Sequence, residues 1–184
     1  MKRLNVLLLL GLISAGGVTS AAAQSSAVEL VQSSGLWQVQ PHTDRISGEQ
    51  KMLAKLMTFR ARQDSHRRAA TAGILLTCAA GKPYVAIIFI GLVSSRTTAD
   101  FSYRIDSNPG RNLTANAYSE RRGVALTNEQ HVSEFLRQLG PSSTLFVRIN
   151  SPRIGLSEAE FNTAGAAAAM DAALGKCRPG QRKT

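Results

Sequence analysis

Apolar and polar positions alternate with a two-residue period over much of this chain, the spacing of a strand with one buried face. Residues 36–40 (Leu-Trp-Gln-Val-Gln) predict a short first strand, and 41–48 is rich in turn formers. From 52 to 59, Met52, Ala54 and Leu56 oppose Leu53, Lys55 and Met57, which fits a strand or a helix; the pattern that follows favours a strand. The basic segment 60–69 reads as a loop. Beyond it Ala72, Ile74, Leu76 and Cys78 share one face of a strand, and Gly81 and Lys82 supply a turn. Residues 84–90 are apolar on both faces, which marks a central strand. In the next strand Phe101, Tyr103 and Ile105 oppose Ser102, Arg104 and Asp106, and Ser107-Asn108-Pro109-Gly110 is a turn signal. Three strands joined by short turns predict an antiparallel meander.

The period then lengthens. Val132, Phe135, Leu136 and Leu139 fall at i, i+3, i+4 and i+7, the single apolar stripe of a helix. Thr127 with Gln130 offers a capping box at its start, and Gly140-Pro141 closes it. Leu145, Val147 and Ile149 return to strand alternation, and 156–161 reads as a further strand. Residues 164–176 form an alanine-rich helix, alanine being the best helix former, with Met170, Ala173, Leu174 and Cys177 on one face. The expected fold is therefore α+β: one domain at 36–178, a mostly antiparallel sheet covered by two helices.

The first residues change the picture of where that domain resides. Lys2 and Arg3 precede an apolar run from 4 to 13, and small residues follow up to Ala21-Ala22-Ala23. This layout predicts a secretory signal peptide over 1–23, a flexible lead at 24–35 and a periplasmic mature protein. Cleavage there removes Lys2 and Arg3, lowering the formal charge from +10 to +8. The apolar run is shorter than the roughly 20 residues a spanning helix needs, and no later stretch is long and apolar enough to span, so no anchor is expected after cleavage. A basic tail occupies 179–184.

In an oxidising compartment two cysteines usually pair, and this chain has two, so Cys78 and Cys177 are expected to form a disulfide that ties the last helix to the sheet. Two buried free thiols are the alternative. Neither a CxxC motif nor a Cys/His cluster is present, and no metal or cofactor is expected. His42, His66 and His131 fall in a turn, a basic segment and the first turns of a helix, without partners to orient them. No nucleophile elbow, HExxH or phosphate-binding loop occurs. Glu158 and Glu160 would share a strand face, where they form a solvated surface or pair with arginines. No catalytic residue is assigned and a non-enzymatic role is expected.

The basic balance is more informative. Arg60, Arg62, Arg67 and Arg68 fall within nine residues, and Arg121 and Arg122 make a second cluster. Brought together they would form an anion- or partner-binding patch; apart, they are solubilising loops. Lipid phosphates or an acidic protein suit such a patch better than nucleic acid, which the compartment and the lack of interleaved aromatics disfavour.

Several pieces resemble the VasI-like accessory proteins of type VI secretion. They are Trp37, Asp44 soon after, the cysteine-ending strand 72–78, the F-x-Y-R-x-D strand at 101–106, and the F-x-x-x-G run at 161–165 leading to Cys177. The chain departs from that pattern where a second tryptophan would follow Pro109, since Asn112-Leu113-Thr114 stands there. The resemblance implies a small periplasmic accessory of a secretion machine and carries no functional residues over. The expectation is thus a binding protein contacting an envelope assembly; an accessory of conjugal transfer and an inhibitor of a hydrolase or lysozyme are its rivals.

Overall fold

The computed structural model describes residues 32–177 except 35, 44–47, 49, 65, 95 and 153, with the side chains of 32–34, 66–69 and 176 outside that description. The leader 1–23, most of the lead 24–35, Asp44 and the tail 179–184 lie outside the described residues.

Ten strands form in chain order: β1 (Gln32–Ser34), β2 (Trp37–Thr43), β3 (Gln50–Gln63), β4 (His66–Ala79), β5 (Lys82–Phe89), β6 (Thr98–Ile105), β7 (Arg111–Tyr118), β8 (Gly123–Leu126), β9 (Thr144–Ser151) and β10 (Gly155–Asn162). Helix α1 (Glu129–Leu139) lies between β8 and β9, and α2 (Ala166–Leu174) follows β10 and runs into a short 3-10 turn, Gly175–Cys177. Every described pairing is antiparallel. The order β3-β10-β9-β6-β7-β8-β5-β4 returns to β3, so eight strands close into a barrel, with β1 and β2 continuing the sheet from β3. Closure removes the open edges of the eight barrel strands, while β1, paired only with β2 among the described residues, keeps one.

Of the three-strand meander expected over 72–106, the first hairpin forms, β4 with β5, but β5 and β6 do not pair. Strand β5 pairs with β4 and β8, while β6 pairs with β7 and β9. The basic segment 60–69 is not a loop: β3 runs to Gln63 and β4 starts at His66, making one long hairpin. The strands β7 and β8 are further additions to the sequence reading.

Alternation fills the barrel. Leu56, Ile74, Leu76, Val85, Ile87, Phe89, Phe101, Ile105, Val147, Ile149 and Phe161 are almost wholly buried. Small Ala54, Ala72 and Ala159 share the same interior, so bulky and small side chains interdigitate. Removing one large member, Phe101→Ala for example, would cost about 3–5 kcal/mol.

Both helices sit at one end of the barrel, on the side where β4 stops and β5 starts. Helix α1 begins at Asn128 rather than Thr127, because the Asn128 carboxamide oxygen accepts the Gln130 and His131 amides at 3.0 and 3.1 Å. The Thr127 hydroxyl instead accepts from Asn116. Phe135 of α1 meets Tyr103 edge-on at 5.1 Å. Helix α2 packs Ala166, Ala169, Ala173 and Leu174 against β2, β3 and β4. Its anchor is the expected disulfide: Cys78 and Cys177 are joined, with their Cα atoms 5.6 Å apart. Trp37 is fully buried at this helix end and donates its indole N–H to the Thr163 carbonyl at 3.2 Å.

The opposite end carries four connections, at 64–65, 90–97, 119–122 and 152–154. The longest folds inward there, burying Val93 and Ser94. The two arginine clusters noted in the sequence lie toward this loop end, while as many other basic residues lie elsewhere on the barrel and α1.

Candidate functional site

The loop end is built around a discontinuity in β3. Between Thr58 and Ala61 the pairing with β4 shifts register, so two residues of β3 stand opposite one of β4. The Thr58 hydroxyl accepts the Arg60 amide at 3.1 Å and donates to the Glu160 carbonyl at 2.8 Å, supplying partners that the ladder loses there. The bulge leaves both Phe59 and Arg60 on the outside of the barrel, and Phe59 is 80% exposed.

A second device holds the long loop. Gln63 is buried, and its carboxamide oxygen accepts the Gly91 amide at 3.1 Å while its nitrogen donates to the Ser157 hydroxyl at 3.2 Å. Ile90 donates its amide to the Thr71 carbonyl at 3.2 Å, and Val93 donates to the Arg121 carbonyl at 2.8 Å. Phe89 likewise donates to the Arg122 carbonyl at 2.7 Å. The loop is thereby stitched to β4 on one side and to the 119–122 turn on the other. It points Ile90 and Leu92 outward, 60% and 47% exposed.

The two arginine clusters lie toward this end on separate elements, the β3–β4 hairpin and the 119–122 turn, and no described contact joins them. Arg60 and Arg62 lie on the outer face of β3. Arg67 and Arg68 lie in the first residues of β4, their side chains outside the described residues. Arg121 and Arg122 lie in the turn that binds the 90–94 backbone. Several are partly neutralised: Arg60 pairs with Glu160 at 3.2 Å, Arg62 with Asp64 at 3.5 Å and Arg122 with Glu120 at 4.0 Å. These are exposed pairs, weak in water and screened by salt, so the guanidiniums stay available to an incoming anion. Arg96 and Arg121 have no carboxylate partner among the described residues.

Sequence reasoning missed the apolar half of this surface and Arg96. Of the five exposed large apolar side chains among the described residues, Met57, Phe59, Ile90 and Leu92 stand on β3 or in the stitched loop. The signal that could have found them is the run 87–92, Ile-Ile-Phe-Ile-Gly-Leu, whose apolar stretch outlasts the strand that buries it.

A separate depression of about 430 Å³ lies on the barrel wall across β6, β7 and β9, lined by Ser102, Arg104, Arg111, Asn112, Phe146 and Arg148 among others. Arg148 lies over the Phe146 ring and is held by Glu158 at 2.7 Å. Arg111 reaches Glu134 at 3.5 Å, and Arg137 approaches the same carboxylate at 2.8 Å. Hydrogen bonds from Arg137 and Gln138, with the Arg137 and Arg111 charges, hold the Glu134 carboxyl down at about 2. Glu158 and Glu160 are thus partners of Arg148 and Arg60, one of the two arrangements their shared strand face allowed. Among the described residues no three of His, Cys, Asp and Glu converge as a metal site requires, and no helix is long and apolar enough to cross a membrane.

No protein family, curated protein or solved structure is significantly similar to this chain.

Proposed function

We propose that this is an exported, non-enzymatic binding protein of the bacterial periplasm, which engages a cell-envelope assembly through the loop end of its barrel. One observation carries the reading. The helix end is committed to the fold by the disulfide and Trp37, whereas the loop end holds outward apolar side chains beside arginines on a stitched, preorganised frame. Exposed apolar groups interleaved with arginine mark an interaction surface.

The leader at 1–23 and the disulfide both suit an oxidising compartment outside the cytoplasm. The barrel interior is occupied by side chains, so recognition takes place on the outside. The resemblance to VasI-like proteins favours a secretion machine as the assembly, ahead of a conjugation machine.

Photocrosslinking in cells tests this. A photoreactive residue at position 59 or 90 is expected to capture envelope-assembly proteins, and one at Ser133 on the exposed face of α1 is not. Capture of a soluble hydrolase or lysozyme instead would replace the reading with that of an inhibitor. Equal yields from both ends would remove the loop end from consideration.

A further inference from the structure

We infer that the loop end docks on an anionic lipid surface, with its apolar side chains entering the interface and its arginines meeting the phosphates. The inference rests on the loop-end reading above and names what that end touches.

Its first support is the way the apolar groups are presented. Phe59 stands on a bulge, and Ile90 and Leu92 stand on a loop whose backbone is tied down on both sides. Met57, 46% exposed, adds to the same strand, its thioether lying close against Gly73 of β4. These side chains stand out from the strand and the loop rather than lining a recess. A lipid interface takes up projecting groups one by one, without the matching recess a protein partner would need. Aromatic and aliphatic side chains at that depth release apolar surface from water.

The second support is charge. Arg60, Arg62, Arg96, Arg121 and Arg122 flank the apolar residues at the same end, and the sequence adds Arg67 and Arg68 at the start of β4. Guanidinium is weakly hydrated and pairs bidentately with phosphate oxygens, so arginines beside an inserted apolar group match the headgroup layer above it. The formal charge of +10, or +8 without the leader, draws the whole molecule to such a surface.

The experiment uses the exported protein purified from periplasm and protein-free vesicles. Vesicles of equal parts phosphatidylethanolamine and phosphatidylglycerol should sediment the protein at low salt, and vesicles of phosphatidylcholine alone should not. Phe59→Ser with Ile90→Ser should weaken partitioning at least about tenfold, and separately Arg121→Gln with Arg122→Gln about twenty-fivefold, two charges at about fivefold each. Arg96→Gln, outside the 119–122 turn, should by itself weaken it about fivefold, a readout independent of that turn's integrity. Phe59→Trp reads insertion directly. Its indole should be quenched by brominated anionic lipid, while Trp37, buried at the far end, stays unquenched in the parent protein.

Failure of the parent protein to bind anionic vesicles overturns the inference. So does binding that survives Phe59→Ser with Ile90→Ser, which would mean adsorption by charge alone. If vesicles fail while positions 59 and 90 still crosslink to envelope proteins, the lipid is excluded and the function proposed above stands. Failure of both experiments removes both.

Discussion

The Gln63 side chain binds the Gly91 amide at 3.1 Å, and through that bond a residue of β3 sets the position of a loop twenty-eight residues away in sequence. Gln63 is 1% exposed, so its amide is paired rather than solvated, and Gly91 is buried with it. Without the acceptor, the Gly91 N–H would be left unsatisfied inside the barrel mouth. Gln63→Met keeps the volume and removes the hydrogen bonds. The expected cost is about 1–3 kcal/mol, with faster hydrogen exchange at Gly91 and Val93 than at β9 amides. Unchanged exchange there would show that the loop is held by other contacts.

The disulfide has a comparable reach at the helix end. Cys78 and Cys177 are 99 positions apart, a loop for which chain entropy gives roughly 4–5 kcal/mol, an upper figure for an unstrained link. Chemical unfolding of the oxidised protein and of a Cys78→Ala/Cys177→Ala variant should differ by up to that amount. Trp37, the chain's one tryptophan, lies at the same end and reports the loss. Its emission should shift to the red in the variant at denaturant concentrations where the parent is still folded. Coincident transitions would mean that packing of α2 alone suffices.

How much of this could be read from the residues depended on how far each strand's neighbours disguised its period. Strands whose inward positions carry large apolar groups were legible, as with Ile74 and Leu76 in β4 or Val147 and Ile149 in β9. The pairing of Cys78 with Cys177 was legible too, since the helical stripe put Cys177 on a buried face. Strand β7 was not, because its inward positions are filled by Leu113, Ala115 and Ala117 between asparagines and threonine, a pattern with little hydrophobic contrast. Strand β8 has four residues, all buried, so it shows no alternation. Without those two strands the sheet cannot close, and the barrel read as an open meander. The 60–69 segment hides its strands for another reason: the outward face of a barrel strand carries arginines freely, and the register shift after Thr58 breaks the period. The arginines of the candidate site were visible, but their company of Phe59, Ile90 and Leu92 depends on loop geometry that no local pattern encodes.

Closure also imposes a packing constraint at Gly123, which opens β8. A Cβ placed there would stand 2.2 Å from the Ile87 carbonyl oxygen and 3.0 Å from the Ile88 Cα, both backbone atoms that cannot rotate aside. Strand β8 must therefore separate from β5 or the side chain cannot fit. Gly123→Ala should destabilise at or beyond the ~1–3 kcal/mol of ordinary overpacking. Gly110→Ala is the control, because a Cβ there meets nothing closer than the Tyr103 carbonyl at 3.9 Å. It should shift the unfolding midpoint little, within about 0.5 kcal/mol. Equal effects of the two would mean that β5 and β8 yield easily.

Asp106 gives the fold a dependence on acidity. It ends β6 in the left-handed region, φ 48°, and its carboxylate accepts the Thr144 amide at 2.8 Å, the Thr144 hydroxyl at 2.9 Å and the Ser143 amide at 3.1 Å. The Thr144 amide foremost, with the Thr144 hydroxyl and the Ser143 amide, holds its carboxyl below the usual range against the opposing cost of desolvation. A folded-state pKa below the unfolded one means that the stabilisation is complete above the ordinary carboxylate pKa. It is lost as pH falls through the depressed folded value. Asparagine tolerates the same backbone conformation but carries no charge. Asp106→Asn should therefore be less stable than the parent at neutral pH, and the gap should narrow steadily below about pH 4, where free aspartate begins to protonate. Urea unfolding of both proteins across acidic pH measures that gap. A difference that stays constant would show that the charge at Asp106 contributes nothing and that its bonds to the start of β9 act as neutral ones.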